Sequence, residues 1–184
     1  MTTETDVPKV VPVTALGRRF RSLTEARWAI FLSEADIAWE YEPETYDLGG
    51  LGWYLPDFWL TSPGWFLEVK PGRPTMLDAD YDKAKALYLI TERPVLVANG
   101  FGIPGPEGYP HNEPGWIYDI FTTDRPSAGG GGSGHHFAVC ICCGRVDLSF
   151  GGYGTQCVGR PGRHASLSLR DAYEAATSFR PGRQ

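Results

Sequence analysis

The most restrictive feature of the sequence is the stretch YLPDFWLTSPGWFLEVK at residues 54–70. In this stretch, TSPG is flanked on each side by a run rich in aromatic and aliphatic residues. The Pro and Gly of TSPG favour a turn, so the runs predict strands at about 53–60 and 64–70 that pair as a β-hairpin. Only Asp57, Glu68 and Lys70 carry charge in this stretch. Because an unpaired charge is costly to bury, these side chains must pair with one another or bind a cation.

The three charges are expected to meet at one edge of the hairpin. Side chains alternate between the two faces of a strand, so Glu68 and Lys70 lie on the same face, about 6–7 Å apart along the strand. The TSPG turn folds the strand that carries Asp57 back alongside them. A structural ion pair of Lys70 with either carboxylate would account for the charges. A cation site formed by the two carboxylates would account for them as well.

The segments around the hairpin predict an α/β fold. Apolar residues recur at helical spacing in SLTEARWAIFLSEA (22–35), and LDADYDKAKALYLIT (77–91) has the acidic first turn that a helix dipole favours. Strand-like segments are WEYEPETYDL (39–48), PVLVANG (94–100) and WIYDIF (116–121). The predicted order is an opening helix followed by β-β-β-α-β.

Composition divides the chain into four predicted segments. They are an N-terminal arm (1–17), a core (18–123), a flexible linker with the sequence DRPSAGGGGSG (124–134) and an accessory module (135–184). A chain of 184 residues can build one core of roughly 100–150 residues and a small satellite. The net charge is −5, but the accessory module has six Arg against three acidic residues. Its basic end could contact a polyanion.

The pattern Pro56-Asp57, ten residues, then Glu68-Val69-Lys70, on a hairpin that precedes a helix and a strand, resembles the PD-(D/E)xK nuclease superfamily. The resemblance covers about residues 18–122. It implies a restriction-endonuclease-like core, with a mixed central sheet flanked by helices, and a metal-dependent DNA endonuclease. It also implies products with a 5′-phosphate and a 3′-hydroxyl.

The same resemblance implies roles for the charged residues. Asp57 and Glu68, together with Glu25 and the carbonyl of Val69, would hold Mg²⁺ or Mn²⁺, which are hard ions that prefer oxygen ligands. Lys70 would orient or help to deprotonate the attacking water, or stabilise the developing charge.

Two further residues have competing interpretations. Glu25 begins the apolar stripe of the first helix, where many of these nucleases carry another acidic ligand. The run Ser22-Leu23-Thr24-Glu25 also matches a capping box, in which the Glu side chain bonds the N-cap amide. Lys83 on the second helix could reach the site, or could be a solvated surface lysine.

All four cysteines lie in the accessory module. The spacing Cys140-x-x-Cys143-Gly matches a zinc knuckle, in which a tight turn directs two thiolates at one ion. Cys157 and His164 are the most economical third and fourth ligands, and Cys142 is then a spare thiol or a packing residue. A module of about 50 residues with few large apolar side chains needs a stabilising metal ion of this kind to fold.

The ligand set of the module has alternatives. His135 or His136 could replace His164 as a ligand, and the cysteines could instead be reduced and buried or form disulfides. The module is loosely similar to the zinc ribbons appended to nucleic-acid enzymes. The segment SLSLRDAYEAATSFR (166–180) has an amphipathic helical pattern, and three arginines could contact phosphates or be solvated: Arg163, Arg170 and Arg180.

These features predict a soluble, cytoplasmic protein with DNA as its partner. No apolar run approaches the roughly 18–20 residues of a membrane helix, and the N-terminus lacks a signal-peptide pattern. One chain has one predicted site, so a homodimer could cut both strands, and the zinc module could bind DNA or a protein partner. The alternatives are a catalytically inactive DNA-binding or scaffolding protein on the same fold, and an RNA- or nucleotide-directed hydrolase.

Overall fold

The computed structural model describes residues 11–70, 79–98, 100–101, 117–121, 135–150, 155–156, 163–164 and 166–182. The described helices are α1 (Leu23–Glu34), α2 (Ala79–Thr91), α3 (Arg170–Ser178) and a 3₁₀ turn at Gly49–Leu51. The strands are β1 (Val13–Ala15), β2 (Arg18–Phe20), β3 (Trp39–Tyr41), β4 (Tyr46–Asp47), β5 (Trp53–Tyr54), β6 (Phe58–Leu60), β7 (Trp65–Val69), β8 (Val95–Ala98), β9 (Ile117–Phe121), β10 (His135–Cys140), β11 (Val146–Phe150), β12 (Thr155–Gln156), β13 (Arg163–His164) and β14 (Ser166–Ser168).

The protein is mixed α/β with a mixed ten-stranded sheet. The strand order is β13-β12-β11-β10-β9-β8-β7-β6-β3, and β14 pairs with β10 beside this path. Strands β7 and β8 are parallel, because the α2 crossover returns the chain to the same end of the sheet. The other strand pairs are antiparallel. The predicted order of opening helix, hairpin, helix and strand is confirmed.

Two of the predicted strands are each divided into two shorter ones. The segment 39–48 forms β3 and β4, separated by Glu42, which has a φ of 49°, and by Pro43, which cannot donate to a strand ladder. The segment 53–60 forms β5 and β6 on either side of Pro56. Strands β4 and β5 pair with each other as a separate hairpin outside the main sheet.

The main sheet has a core on each face. Leu67 and Val69 pack with α1 and α3, whereas Phe66, which precedes Leu67, packs with α2 on the other face. This division follows the alternation predicted along β7. Helix α1 packs against α3, and Trp28 and Phe31, which lie one turn apart on the same side of α1 with ring centroids 5.6 Å apart, are both fully buried.

Elements on both sides of the predicted linker share one core. Residues 124–134 lie outside the described residues, and the division into domains stays a prediction. His135 of β10 pairs with Ile117 of β9. The ring of Tyr173 on α3 stacks on that of Phe31 on α1 with centroids 4.4 Å apart. The predicted helix at 166–180 begins only at Arg170, because the residues before it form β14.

The predicted N-terminal arm contributes to the core from its last few residues. Strand β1 pairs with β2 through a two-residue turn, in which Leu16 and Gly17 both have positive φ. Positive φ at both central residues is typical of tight hairpins. Val13 and Ala15 of β1 are buried in the core that contains α1. In the described ranges, no helix has both the length and the apolar character needed to cross a bilayer.

The shared core predicts that the chain unfolds as one unit. Tyr173→Ala removes a buried ring that ties α3 to α1, so we expect the free energy of unfolding to fall by about 3 kcal/mol in a single transition. Denaturant melts followed by far-UV and near-UV circular dichroism measure this. Glu174→Ala, on the exposed side of α3, is the matched control and should change stability by about 0.5 kcal/mol or less. Two separate transitions, with only one shifted by Tyr173→Ala, would contradict the shared core.

Candidate active site

The buried charges of the described residues meet in one cleft. Glu25, Asp57 and Glu68 are 7%, 3% and 6% exposed, and they are the only buried charged residues in the described part of the chain. All three line a cleft of about 670 Å³. Lys70 and Lys83 line it as well, so the structure brings together the five charged residues that the sequence suggested for the hairpin site. Val69 also contributes to its wall.

Asp57 is held by two donors. It immediately precedes β6, and the pairing of Phe58 with Leu67 continues by one step to set Asp57 beside Glu68. Its Oδ2 accepts a hydrogen bond of 2.7 Å from the backbone N–H of Val69. Its Oδ1 accepts a hydrogen bond from the guanidinium of Arg21. Both carboxylate oxygens are therefore engaged, one by the sheet and one by a movable side chain.

Glu68 is only half satisfied. Lys70 Nζ donates to Glu68 Oε1 at 2.8 Å, which is one of the two ion pairs that the sequence analysis considered for Lys70. Glu68 Oε2 is buried and has no hydrogen-bond partner among the described residues. A carboxylate oxygen of this kind is costly unless a cation or water reaches it. The ion pair with Lys70 thus leaves one oxygen of Glu68 available to a ligand in the cleft.

Glu25 has the capping role that competed with metal binding. Ser22 is the N-cap of α1, and its Oγ accepts from Glu25 N at 3.1 Å and donates to Glu25 Oε1 at 2.7 Å. Glu25 Oε2 accepts from the backbone N–H of Arg21 at 3.2 Å and from the hydroxyl of Tyr41 at 2.5 Å. The bond to Arg21 N, rather than to the N-cap amide, is a variant of the capping box. Metal ligation by Glu25 stays a prediction.

Three residues of the site were missed by sequence reasoning. Arg21 connects three carboxylates: its guanidinium bonds Asp57, its Nε lies 2.9 Å from Glu42 Oε1, and the same Nε lies 3.8 Å from Glu25 Oε2. Its position next to the N-cap of α1 was a usable signal, because that helix end was expected to face the site. Tyr41 and Glu42 reach the cluster from β3 and the residue after it, and the sequence carries no pattern that links them to Asp57.

The cluster perturbs the pKa values of Asp57 and Arg21. Burial raises the pKa of Asp57 well above its usual range, the Glu68 charge raises it further, and the Val69 amide and Arg21 only partly oppose this. Burial acts to lower the pKa of Arg21, but Asp57 and the other groups around it more than offset this, so its pKa lies above the ordinary value. A cation in the cleft would favour ionised Asp57.

The oxygen atoms present fit a magnesium-type ion. Glu68 Oε2 and an Asp57 oxygen would hold it, because Mg²⁺ commonly takes one or two carboxylates and fills its remaining positions with water and phosphate. Among the residues the structure describes, no three acidic, cysteine or histidine side chains are placed to hold a metal ion together. An ion held by two carboxylates would take its other ligands from water and phosphate.

The predicted zinc ligands are only partly described. Cys140 is buried at the end of β10, Cys142 is exposed and Cys143 is half-buried. The backbone turns tightly here: Gly144 N donates to Cys140 O at 2.8 Å, and Gly144 has a φ of 68°. Cys157 lies outside the described residues, as does the side chain of His164. The backbone of Gln156, which precedes Cys157, pairs with that of Arg163, which precedes His164.

No protein-family model, curated protein or solved structure matches the chain.

The raised pKa of Asp57 predicts a pH-dependent stability. A folded pKa above the unfolded value, about 3.9, stabilises the protein at low pH, and this contribution is lost as pH rises through the folded pKa. With a chelator present, the free energy of unfolding of wild type should therefore fall relative to that of Asp57→Asn as pH rises from the unfolded pKa through the folded pKa of Asp57. Mg²⁺ in place of the chelator should reduce this fall.

Urea unfolding of both proteins as a function of pH measures this difference. Asp82→Asn, at an exposed position on α2, should follow the wild-type curve at all pH values. A difference between wild type and Asp57→Asn that does not change with pH would contradict the raised pKa.

Proposed function

We propose that the protein is a metal-dependent endonuclease that hydrolyses phosphodiester bonds in DNA. The observation that carries the proposal is the composition of the cleft: Glu25, Asp57 and Glu68 are its buried charges, and Glu68 Oε2 has no hydrogen-bond partner among the described residues. Such a site attracts a divalent cation, and a cation held there can receive a phosphate group that the carboxylates alone would repel.

Each residue has a role in the proposed reaction. A Mg²⁺ or Mn²⁺ ion, when bound, lowers the pKa of its water and stabilises the charge that develops on the phosphate. Asp57 and Glu68 bind it, with Glu25 and the carbonyl of Val69 as further candidate ligands. Lys70 is 16% exposed and is oriented by Glu68 Oε1, so its ammonium can orient the attacking water or stabilise the developing charge.

The rim of the cleft suits a nucleic acid. Trp53 lines the cleft and is 70% exposed, although large aromatic side chains are usually buried to a greater extent. The next residue, Tyr54, points inward and is buried, so β5 anchors the tryptophan on its outer face. An exposed ring beside a phosphate site can stack on a nucleobase.

Zinc is proposed as a second, structural ion. Cys140 and Cys143 stand on a tight turn with Gly144 in a left-handed conformation, which is compatible with a knuckle. Cys157 and His164 complete the proposed Cys₃His set.

One observation favours a different role. Arg21 pairs with Asp57, and Lys70 pairs with Glu68, so each of the two central carboxylates has a cationic partner within the protein. A structural ion network in a catalytically inactive DNA-binding or scaffolding protein would need such partners. Glu68 Oε2, which has no hydrogen-bond partner among the described residues, favours the enzyme.

The proposed activity predicts metal-dependent cleavage that depends on the hairpin charges. Wild type with Mg²⁺ or Mn²⁺ should nick or linearise supercoiled plasmid, and Asp57→Asn and Lys70→Met should each reduce the rate by about 100-fold or more. Gel assays on plasmid, linear duplex, single-stranded, branched and RNA substrates would measure the rate and the substrate class. Asp82→Asn and Lys85→Met make the same chemical changes on α2 outside the cleft and should leave the rate unchanged.

Two other results would redirect the assignment. Absence of cleavage with every substrate, together with lower melting temperatures for both hairpin variants, would show that the charges form a structural ion network. Cleavage of RNA in preference to DNA of the same sequence would assign the site to an RNA-directed enzyme.

The rim predicts a stacking contribution to binding. With Ca²⁺, which should support binding with little turnover, Trp53→Ala should weaken the affinity for a fluorescent single-stranded oligonucleotide by about 5- to 100-fold, because base stacking contributes about 1–3 kcal/mol. Trp53→Phe should retain most of the affinity. Leu89→Ala, an exposed apolar position on α2 that does not line the cleft, is the control. Equal affinities for wild type and Trp53→Ala in anisotropy titrations would contradict a stacking role.

A further inference from the structure

Arg21 occupies one of the two Asp57 oxygens that a metal could bind. Asp57 has one oxygen fixed by the Val69 amide at 2.7 Å, and the other accepts from the Arg21 guanidinium. The Val69 N–H is a backbone group of β7 and stays in place as long as the hairpin is formed. A cation that binds Asp57 through Oδ1 therefore competes with Arg21 for this oxygen.

Arg21 is able to leave this position. Its side chain is 53% exposed, whereas the side chain of Asp57 is 5% exposed, so the guanidinium sits at the mouth of the cleft and the carboxylate sits inside it. The Nε of Arg21 lies 3.8 Å from Glu25 Oε2 on α1, and its backbone N–H donates hydrogen bonds to Glu25 and to Tyr41 on β3. The backbone hydrogen bonds remain in place when the side chain rotates.

Glu42 gives the displaced side chain somewhere to stay. Its Oε1 lies 2.9 Å from Arg21 Nε, on the more exposed side of the cluster, and the side chain of Glu42 is 29% exposed. Glu42 has a φ of 49°, a conformation that non-glycine residues rarely adopt, and its N–H bonds the carbonyl of Asp57 at 2.9 Å. The backbone thus holds Glu42 next to both Arg21 and Asp57.

We propose that Arg21 is a built-in competitor of the divalent metal for Asp57, and that Glu42 retains the displaced guanidinium at the rim of the cleft. Arg21 stabilises the buried carboxylate when no metal is bound, and the metal affinity is set by the difference between the two cations. The displaced guanidinium then faces the open cleft, where an incoming phosphate lies. This inference deepens the proposed function and rests on it, because it takes the metal site as given.

The test is a binding isotherm for Mn²⁺ alone, without DNA, measured by electron paramagnetic resonance in alkaline buffer. Arg21→Gln should bind Mn²⁺ about tenfold or more tightly than wild type, because a charge-assisted hydrogen bond no longer competes. Its melting temperature without metal should fall, and Mn²⁺ should raise it by more than it raises that of wild type. A residue with only a structural role would lower the melting temperature without increasing the metal affinity.

Matched variants separate competition from a general change in charge. Arg19→Gln removes the same charge from an exposed position two residues away and should change the affinity by about twofold or less. Arg21→Lys keeps the charge but loses the fork that contacts two carboxylates, so its affinity should fall between wild type and Arg21→Gln. This variant also keeps the test decisive if Arg21→Gln does not fold.

A substitution of Glu42 tests the same proposal with an effect on Mn²⁺ affinity in the opposite direction. Glu42→Gln should weaken Mn²⁺ binding, because the displaced Arg21 loses its partner at the rim. In the Arg21→Gln background the same change should have a smaller effect, which reports only the direct attraction between the Glu42 charge and the metal. Equal effects in both backgrounds would overturn the retaining role of Glu42.

The outcomes distinguish this inference from the proposed function. Wild type that binds Mn²⁺ while Arg21→Gln binds it equally or less tightly would overturn the competition and leave the metal site intact. Failure of wild type, Arg21→Gln and Arg21→Lys to bind Mn²⁺ would overturn both. Binding by Arg21→Gln alone would support the competition in its strongest form.

Discussion

The cost of withdrawing carboxylates from water constrains the rest of this structure. Asp57 and Glu68 stand side by side on adjacent strands, at a point where both faces of the sheet are covered. Each carboxylate alone would be expensive to bury, and their mutual repulsion adds to the cost. The Val69 amide, Arg21 and Lys70 offset this for three of the four oxygens, and Glu68 Oε2 has no partner among the described residues. The proposed metal ion would offset the remaining cost.

The fold keeps these groups in place by different means. Backbone register keeps Asp57 and Glu68 together, because a shift of one residue between β6 and β7 would put their side chains on opposite faces of the sheet. The start of α1 fixes Glu25 and the backbone of Arg21 through the Ser22 cap. The side chains of Arg21 and Lys70 can move without breaking secondary structure. The proposed exchange of cations therefore requires no change of fold.

Local pattern made much of this arrangement predictable from the sequence. The TSPG turn and the alternation along WFLEVK identified the hairpin and the faces of Glu68 and Lys70, and the capping pattern located the start of α1 at Ser22. Each of these signals resides in a few consecutive residues.

The features that could not be predicted from the sequence depend on contacts between distant segments. Arg21 and Asp57 are 36 residues apart, and Tyr41 and Glu25 are 16 apart. The amphipathic pattern of α3 predicted an apolar face, but it could not identify α1 as the surface that this face covers. The division of segment 39–48 into two strands at Glu42 also depends on a tertiary contact. Glu42 adopts a left-handed conformation, and its backbone N–H donates a hydrogen bond to the carbonyl of Asp57.

The central claim, that Asp57 and Glu68 bind a divalent cation, is tested most directly by anomalous diffraction from crystals soaked in Mn²⁺. The account predicts an anomalous peak in the cleft within about 2.5 Å of Glu68 Oε2 and of an Asp57 oxygen, with the Arg21 guanidinium turned away from Asp57 toward Glu42. A cleft without an anomalous peak, in which Arg21 still bonds Asp57, would contradict the claim and identify the buried charges as a structural network.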